Sequence, residues 1–189
     1  MPFKLSLYRP VRLQERGNVI VHIGTRPIKN PQISIKVVEE LRRRGYNVEL
    51  AIVGSYSKEV EEVSMDKDFV RVLFNADERT KLEVLCSAKA LILPSSGEAF
   101  PFTTLEAMAC GTPPIVSGAV PEEVLINGVN GIRVNSLNPI DYANALERLL
   151  NNEELWISIS RNSREFIKNF DHIKIASNYL DIITRIIEK

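Results

Sequence analysis

Two stretches of the chain carry residues whose types and spacing suit the binding of an anion next to a hydroxyl-rich group. The first, Gly24-Thr25-Arg26-Pro27-Ile28-Lys29-Asn30, sets two cations just ahead of a predicted helix. Helix N-terminal amides and nearby cations together attract phosphate. The second runs Pro94-Ser95-Ser96-Gly97-Glu98-Ala99-Phe100-Pro101-Phe102-Thr103-Thr104-Leu105-Glu106. It is polar, contains glycine and runs straight into a helix, so free N–H groups and the Thr103 and Thr104 hydroxyls are expected at one crevice. Glu98 belongs to the loop. Glu106 belongs to the first turn of the helix, where Thr103-x-x-Glu106 also reads as a capping box. An ionised carboxylate only accepts hydrogen bonds and a sugar offers many donors, so both carboxylates suit a polyol beside a phosphate.

Other chemistries lack their residues. There is no G-x-x-x-x-G-K-S/T, no G-x-G-x-x-G and no G-x-S-x-G, which removes the P-loop, dinucleotide and hydrolase-elbow readings. Asp66-Lys67-Asp68 precedes a strand in a polar stretch and reads as a solvated turn. His22, flanked by apolar strand residues, reads as a satisfied core or strand-end histidine. Trp156 and Tyr179 read as core. Two histidines and two cysteines (Cys86 and Cys110) without C-x-x-C or H-E-x-x-H give no zinc site, so no metal is expected. A Cys86–Cys110 disulfide stays open.

Positioning these loops is the work of short β-branched runs that alternate with helical patterns. Strands are expected at Val19–Ile23, Val48–Val53, Val70–Phe74, Ala90–Leu93, Pro114–Val116 and Ile132–Val134. Helices are expected over about 31–44, capped by Gly45, over 78–87 and 104–110, and through most of the chain after 134. Asn127-Gly128-Val129-Asn130-Gly131 reads as a turn. The pattern predicts an α/β fold, a doubly wound parallel sheet whose ligand site lies beyond the carboxyl ends of its strands. Both candidate loops follow strands. Residues 1–18 stand outside the alternation and read as a lead-in or hinge, leaving 19–189 as the domain. Asp171 reads as the cap of a last helix whose stripe of Ile175, Leu180, Ile183, Ile186 and Ile187 is expected to pack on the domain's own core, with docking on a partner domain as the second reading.

The 189 residues hold 24 basic and 24 acidic side chains and 44% hydrophobic residues. That composition is globular, and the zero net charge gives no general pull toward nucleic acid or an anionic membrane. No stretch approaches the ~18 apolar residues of a membrane span, and no signal-peptide core is present, so the cytoplasm is the default compartment.

The segment Glu98-x7-Glu106, continuing Ala107-Met108-Ala109-Cys110-Gly111-Thr112-Pro113, resembles the E-x7-E region of retaining glycosyltransferases of the glycogen-synthase and sucrose-synthase type, family four and its relatives. Val21-His22-Ile23-Gly24 with Lys29, the strand ending at Gly54, the N-G-x-N-G turn and Phe170-Asp171-His172 with its helix are similar to the same family. The likeness extends from about Tyr8 to the end. It implies one half of a GT-B fold: the C-terminal, Rossmann-like domain that holds a nucleotide-sugar donor, with an N-terminal acceptor domain absent from this chain. By resemblance, Glu98 would bond the donor sugar and Glu106 the ribose. Lys29 and Arg26 would neutralise the diphosphate at the loop that begins with Gly24. The amides of Ala99, Phe100 and Phe102 and the Thr103 and Thr104 hydroxyls would hold phosphate and sugar, and the strand end around Leu73 would face the base. The donor would be a UDP-, GDP- or ADP-sugar, with no cofactor and no metal. Thr25 stands where the family carries Arg, and Pro101, which offers no N–H, where it carries Gly.

Two other functions compete. A non-catalytic nucleotide-sugar module would sense ligand or pair with a separate acceptor subunit. A phosphate-binding domain of phosphorylase or epimerase type would need a pyridoxal-binding lysine or a catalytic pair that the sequence does not offer.

Overall fold

Every expected β-rich run forms a strand, and the six strands pair in parallel in the order β3-β2-β1-β4-β5-β6. They are β1 (Val19–Ile23), β2 (Glu49–Gly54), β3 (Val70–Phe74), β4 (Ala90–Leu93), β5 (Pro114–Ser117) and β6 (Ile132–Val134). The computed structural model describes residues 3–187; Met1, Pro2, Glu188 and Lys189, the outer ends of the lead-in and domain ranges, lie outside the described residues.

Strands covered on both faces read as unbroken apolar runs, and alternate residues here serve opposite layers. Ile20, Leu50, Ile52, Ile92 and Ile115 face one cluster. They meet helices α1 (Pro31–Arg43) and α5 (Pro139–Leu150) through Val38, Leu41, Tyr142 and Leu146. Val21, Ala51, Val53 and Leu91 face the other way, toward α3 (Glu78–Ser87) and α4 (Phe102–Ala109). Trp156 of α6 (Glu153–Ile167) is buried as expected, and its Nε1 donates to Lys89 O at 2.7 Å. Cys86 and Cys110 form a disulfide that ties the end of α3 to the end of α4, with 4.6 Å between Cα atoms.

Gly45 ends α1 as expected. It sits at φ +93°, its N–H donates to Arg42 O, and Tyr46 N–H reaches Leu41 O, a Schellman pair that favours glycine. One helix escapes the sequence reading: α2 (Lys58–Ser64), which buries only Val60 and Ser64 and so shows almost no apolar face. Another starts early. α4 begins at Phe102 with Pro101 at its cap, so Thr103 already lies inside the first turn and the expected Thr103–Glu106 capping box does not form.

The lead-in is anchored at two points. Phe3 is buried and exchanges backbone hydrogen bonds with Phe170 and His172, each 2.9 Å. Arg16, 5% exposed, donates to Ala88 O, Thr112 Oγ1, Cys110 O and Gly111 O and stacks over Trp156.

Asp171 caps α7 (His172–Ile187) by accepting from Ile173 N–H at 3.0 Å. The expected packing of this helix on the domain core does not occur. None of its residues is buried, and Tyr179 and Leu180 are each 64% exposed. The helix meets the domain through the Lys168–Phe170 turn and Phe3, which leaves its apolar stripe uncovered. Among the described residues no helix is long and apolar enough to cross a membrane.

Candidate functional site

In this strand order the connections reverse direction between β1 and β4, and the crevice at that switch lies beyond their carboxyl ends. The two candidate loops are the ones that leave β1 and β4. They are stitched together: Ser96 N–H donates to Ile28 O at 2.9 Å, and Asn30 Nδ2 donates to Pro94 O at 2.8 Å. Asn30 adopts the left-handed conformation, φ 52°, directly before Pro31, which asparagine tolerates and which turns the loop into α1.

Lys29 and Glu98 meet across this seam. Lys29 Nζ lies 2.7 and 2.8 Å from the two carboxylate oxygens, and Ser95 Oγ donates to Glu98 Oε1 at 2.6 Å. The stem of Lys29 lies over Gly24, where φ is +114° and a Cβ would stand 2.8 Å from Lys29 Cγ. Only glycine allows that backbone and that approach together. Thr25 packs against Gly54 and donates to Ser55 O at 2.7 Å, so it faces inward; Arg26, beside it, is exposed and donates to no protein acceptor among the described residues.

His22 supports the loop from below. It is fully buried, with Nε2 2.8 Å from Gly24 O and Nδ1 2.8 Å from Ser34 Oγ. A carbonyl only accepts, so Nε2 carries the proton and Nδ1 accepts from Ser34. Burial holds its pKa down to about 4. It is the satisfied histidine expected.

Loop two differs in detail from expectation. Phe102 N–H is used internally, donating to Phe100 O at 2.9 Å, and Pro101 has none to offer. The N–H groups of Ala99 and Phe100 in the loop, and of Thr103 in the first turn of α4, find no protein acceptor among the described residues; that of Thr104 is also unpaired but belongs to a fully buried residue. The Thr104 hydroxyl is not presented at the crevice: Thr104 is fully buried and its Oγ1 lacks a partner, while Thr103 is half-buried. Helix α4 starting one residue before Thr103 rotates Thr104 inward. The Phe100 and Phe102 rings lie 4.6 Å apart and are 44% and 40% exposed, so they form an uncovered aromatic edge.

Glu106 sits deeper, paired with Lys81 of α3 at 2.8 Å. Burial raises its pKa, and the Lys81 hydrogen bond opposes that rise. Tyr8 of the lead-in is raised by burial and by the nearby Glu106 and Glu78 carboxylates. Leu73 lies on β3, paired with Val53 and two strands from β1, roughly 10 Å across the sheet. Its side chain packs against the core, leaving backbone as what this outer strand can present. On the other side a cleft of about 550 Å³ opens between Ser95, Ser117 and Asn135. Among the described residues no three His, Cys, Asp or Glu side chains gather as metal ligands would.

Lys29, Glu98, Gly24 and the start of α4 are thus brought to one crevice, Glu106 flanks it, and Leu73 stands apart. Sequence reasoning assigned no role to Ser95, Asn30, Lys81 or Tyr8. Ser95, three residues before Glu98 in a loop, and Asn30 before a proline carry local signals for such bonds. Lys81 and Tyr8 carry none, because only the fold brings them to Glu106.

A family model described as glycosyl transferases group 1 matches residues 7–166. The D-inositol 3-phosphate glycosyltransferase of Corynebacterium jeikeium is 30% identical over 166 residues, covering 80% of this chain and 39% of that protein. The chain therefore spans about two fifths of that relative's length. The crystal structure of HepE from Anabaena in complex with UDP and glucose superimposes with a TM-score of 0.82 at 20% identity, over 97% of this chain and 55% of that one. The C-terminal domain of the group 1 protein LpcC from Francisella tularensis gives 0.76 at 18% identity, over 88% of this chain and 97% of that domain. The chain belongs to the glycosyl transferases group 1 family and has the fold of its C-terminal domain, the Rossmann-like half of a GT-B glycosyltransferase.

Proposed function

We propose that this chain is the donor-binding domain of a metal-independent, retaining glycosyltransferase that moves a hexose from a nucleoside-diphosphate sugar to an acceptor hydroxyl. The observation that carries the reading is the meeting of Lys29 and Glu98 at the switch between β1 and β4, beside the open N-terminus of α4. Departure of the sugar leaves negative charge on the diphosphate. Lys29, Arg26 and the free amides of Ala99, Phe100 and Thr103 are the groups that offset it, taking the part a divalent cation plays elsewhere. Glu98 accepts from the sugar hydroxyls and Glu106 from the ribose, while the backbone near Leu73 faces the base. HepE, with UDP and glucose bound, supports a nucleotide-sugar ligand on this fold.

Acceptor binding and cleft closure belong to residues beyond these, so the isolated chain is expected to bind donor and transfer little or no sugar. A thermal-shift panel of UDP, GDP and ADP with UDP-glucose, GDP-mannose and ADP-glucose, in EDTA and in Mg²⁺, tests the reading. Ligand at about a hundred times its Kd stabilises by roughly 2.7 kcal/mol. One base shifting the melt equally in both buffers supports the proposal. A flat panel removes donor binding by this domain, and a shift seen only with Mg²⁺ removes metal independence.

A further inference from the structure

Lys29 and Glu98 neutralise each other at the place where a diphosphate and a sugar would need them separately. Both carboxylate oxygens accept from Lys29 Nζ, Ser95 Oγ adds a third bond at 2.6 Å, and the two side chains are only 12% and 4% exposed. The surroundings hold the pair in register. Gly24 fixes the lysine stem, and Ser117 Oγ donates to Ser95 O at 2.6 Å, which steadies the serine that holds Glu98. A carboxylate so enclosed is costly to leave without a partner, because little water can replace the lost ammonium.

We infer that the Lys29–Glu98 pair makes the site selective for an intact sugar nucleotide over the free nucleoside diphosphate; this rests on the donor-binding reading above. A diphosphate without its sugar has two poor options. It can draw Lys29 away, which strands Glu98 beside added negative charge, or it can leave the pair closed and forgo the lysine. An intact donor meets neither penalty. Its phosphate takes Lys29 while its neutral hydroxyls donate to Glu98, so both members of the pair exchange one partner for another. Selectivity of this kind is a coupling between the sugar and phosphate subsites, and couplings of 5–150-fold are ordinary. It also disfavours retention of the diphosphate left after transfer, since loss of the sugar restores the incentive for Lys29 and Glu98 to re-form their pair.

The test is isothermal titration of the whole chain and its Glu98→Gln and Glu98→Ala variants with UDP, GDP and ADP and with UDP-glucose, GDP-mannose and ADP-glucose. Wild type is expected to prefer a sugar conjugate over its diphosphate. Either variant is expected to bind the diphosphate about tenfold tighter than wild type and the conjugate no tighter, because Lys29 is released and the sugar contact is lost. Glutamine keeps the shape of the side chain, and a melt matching wild type identifies a folded variant; alanine serves should glutamine misfold. Diphosphate affinity unchanged or weakened in a folded variant overturns the inference while leaving donor binding intact. Failure of wild type to bind any of the six compounds overturns both.

Discussion

Lys81 Nζ stands 2.8 Å from Glu106 Oε1, so the second carboxylate of the Glu98-x7-Glu106 segment is held by a neighbouring helix rather than by the cap of its own. The pair spans α3 and α4, the two helices whose ends the Cys86–Cys110 disulfide joins. The lysine also reaches Glu78 at 2.9 Å, whereas Lys81 is the one cation bonded to Glu106 among the described residues.

That asymmetry fixes the outcome of two substitutions. Lys81→Met leaves a largely enclosed carboxylate alone and is expected to cost about 2 kcal/mol in urea unfolding at pH 7. Glu106→Gln leaves Lys81 with Glu78 and should cost less than half as much. Equal losses, or a neutral Lys81→Met, would show that the pair does not hold Glu106 in place.

His22 makes stability depend on acid. Its pKa is depressed from 6.5 to about 4 by burial, so between those values the unfolded chain binds a proton that the folded chain refuses. Stability is therefore complete above pH 6.5 and falls as pH drops toward 4. The loss attributable to this one group at pH 4.5 is on the order of 2 kcal/mol. Urea unfolding at pH 7.5 and 4.5 should show a drop smaller by that amount in His22→Gln than in wild type. Identical drops would mean that His22 titrates normally in the folded state.

Arg16 joins the lead-in to the core through four acceptors at the amino ends of β4 and β5. Burial lowers its pKa to about 10, still charged at neutral pH. Arg16→Met removes the donors and leaves buried carbonyls bare, at an expected cost of about 3 kcal/mol. Arg16→Lys should not rescue more than half, since an ammonium cannot span the fork that a guanidinium fills. Full rescue by lysine would reduce the contact to simple charge.

Helix α7 buries none of its residues. Removal of residues 176–189, which keeps the His172 bond to Phe3, is therefore expected to change the unfolding free energy of the remainder by less than about 1 kcal/mol. A loss of several kcal/mol would mean that the stripe packs on the domain in solution, as its sequence alone implied.

What was legible followed from periodicity. Unbroken apolar runs such as Ala90–Leu93 declare strands buried on both faces, and six β-rich runs with intervening helices leave few topologies. The crevice was legible for the same reason, because Lys29 and Glu98 follow strands whose carboxyl ends must line the site. Hidden features depended on contacts remote in sequence or on weak local signal. α2 has one buried aliphatic residue, Val60. The start of α4 turned on whether Pro101 or Thr103 occupies the cap; with Pro101 there, Thr104 falls in the first turn and is buried. Tyr179 sits on a helix whose apolar stripe fits a core that it does not reach.

In the proposed function Lys29 binds the donor's diphosphate. Isothermal titration of wild type and Lys29→Met in EDTA, with the sugar nucleotide to which wild type responds, addresses it directly. Loss of a charge-assisted contact in an enclosed site is expected to weaken binding by at least about tenfold; the stranded Glu98 lowers the melt as well, so affinity is compared below the variant's own unfolding transition. Wild-type affinity in a folded Lys29→Met chain would contradict the account and place the diphosphate elsewhere.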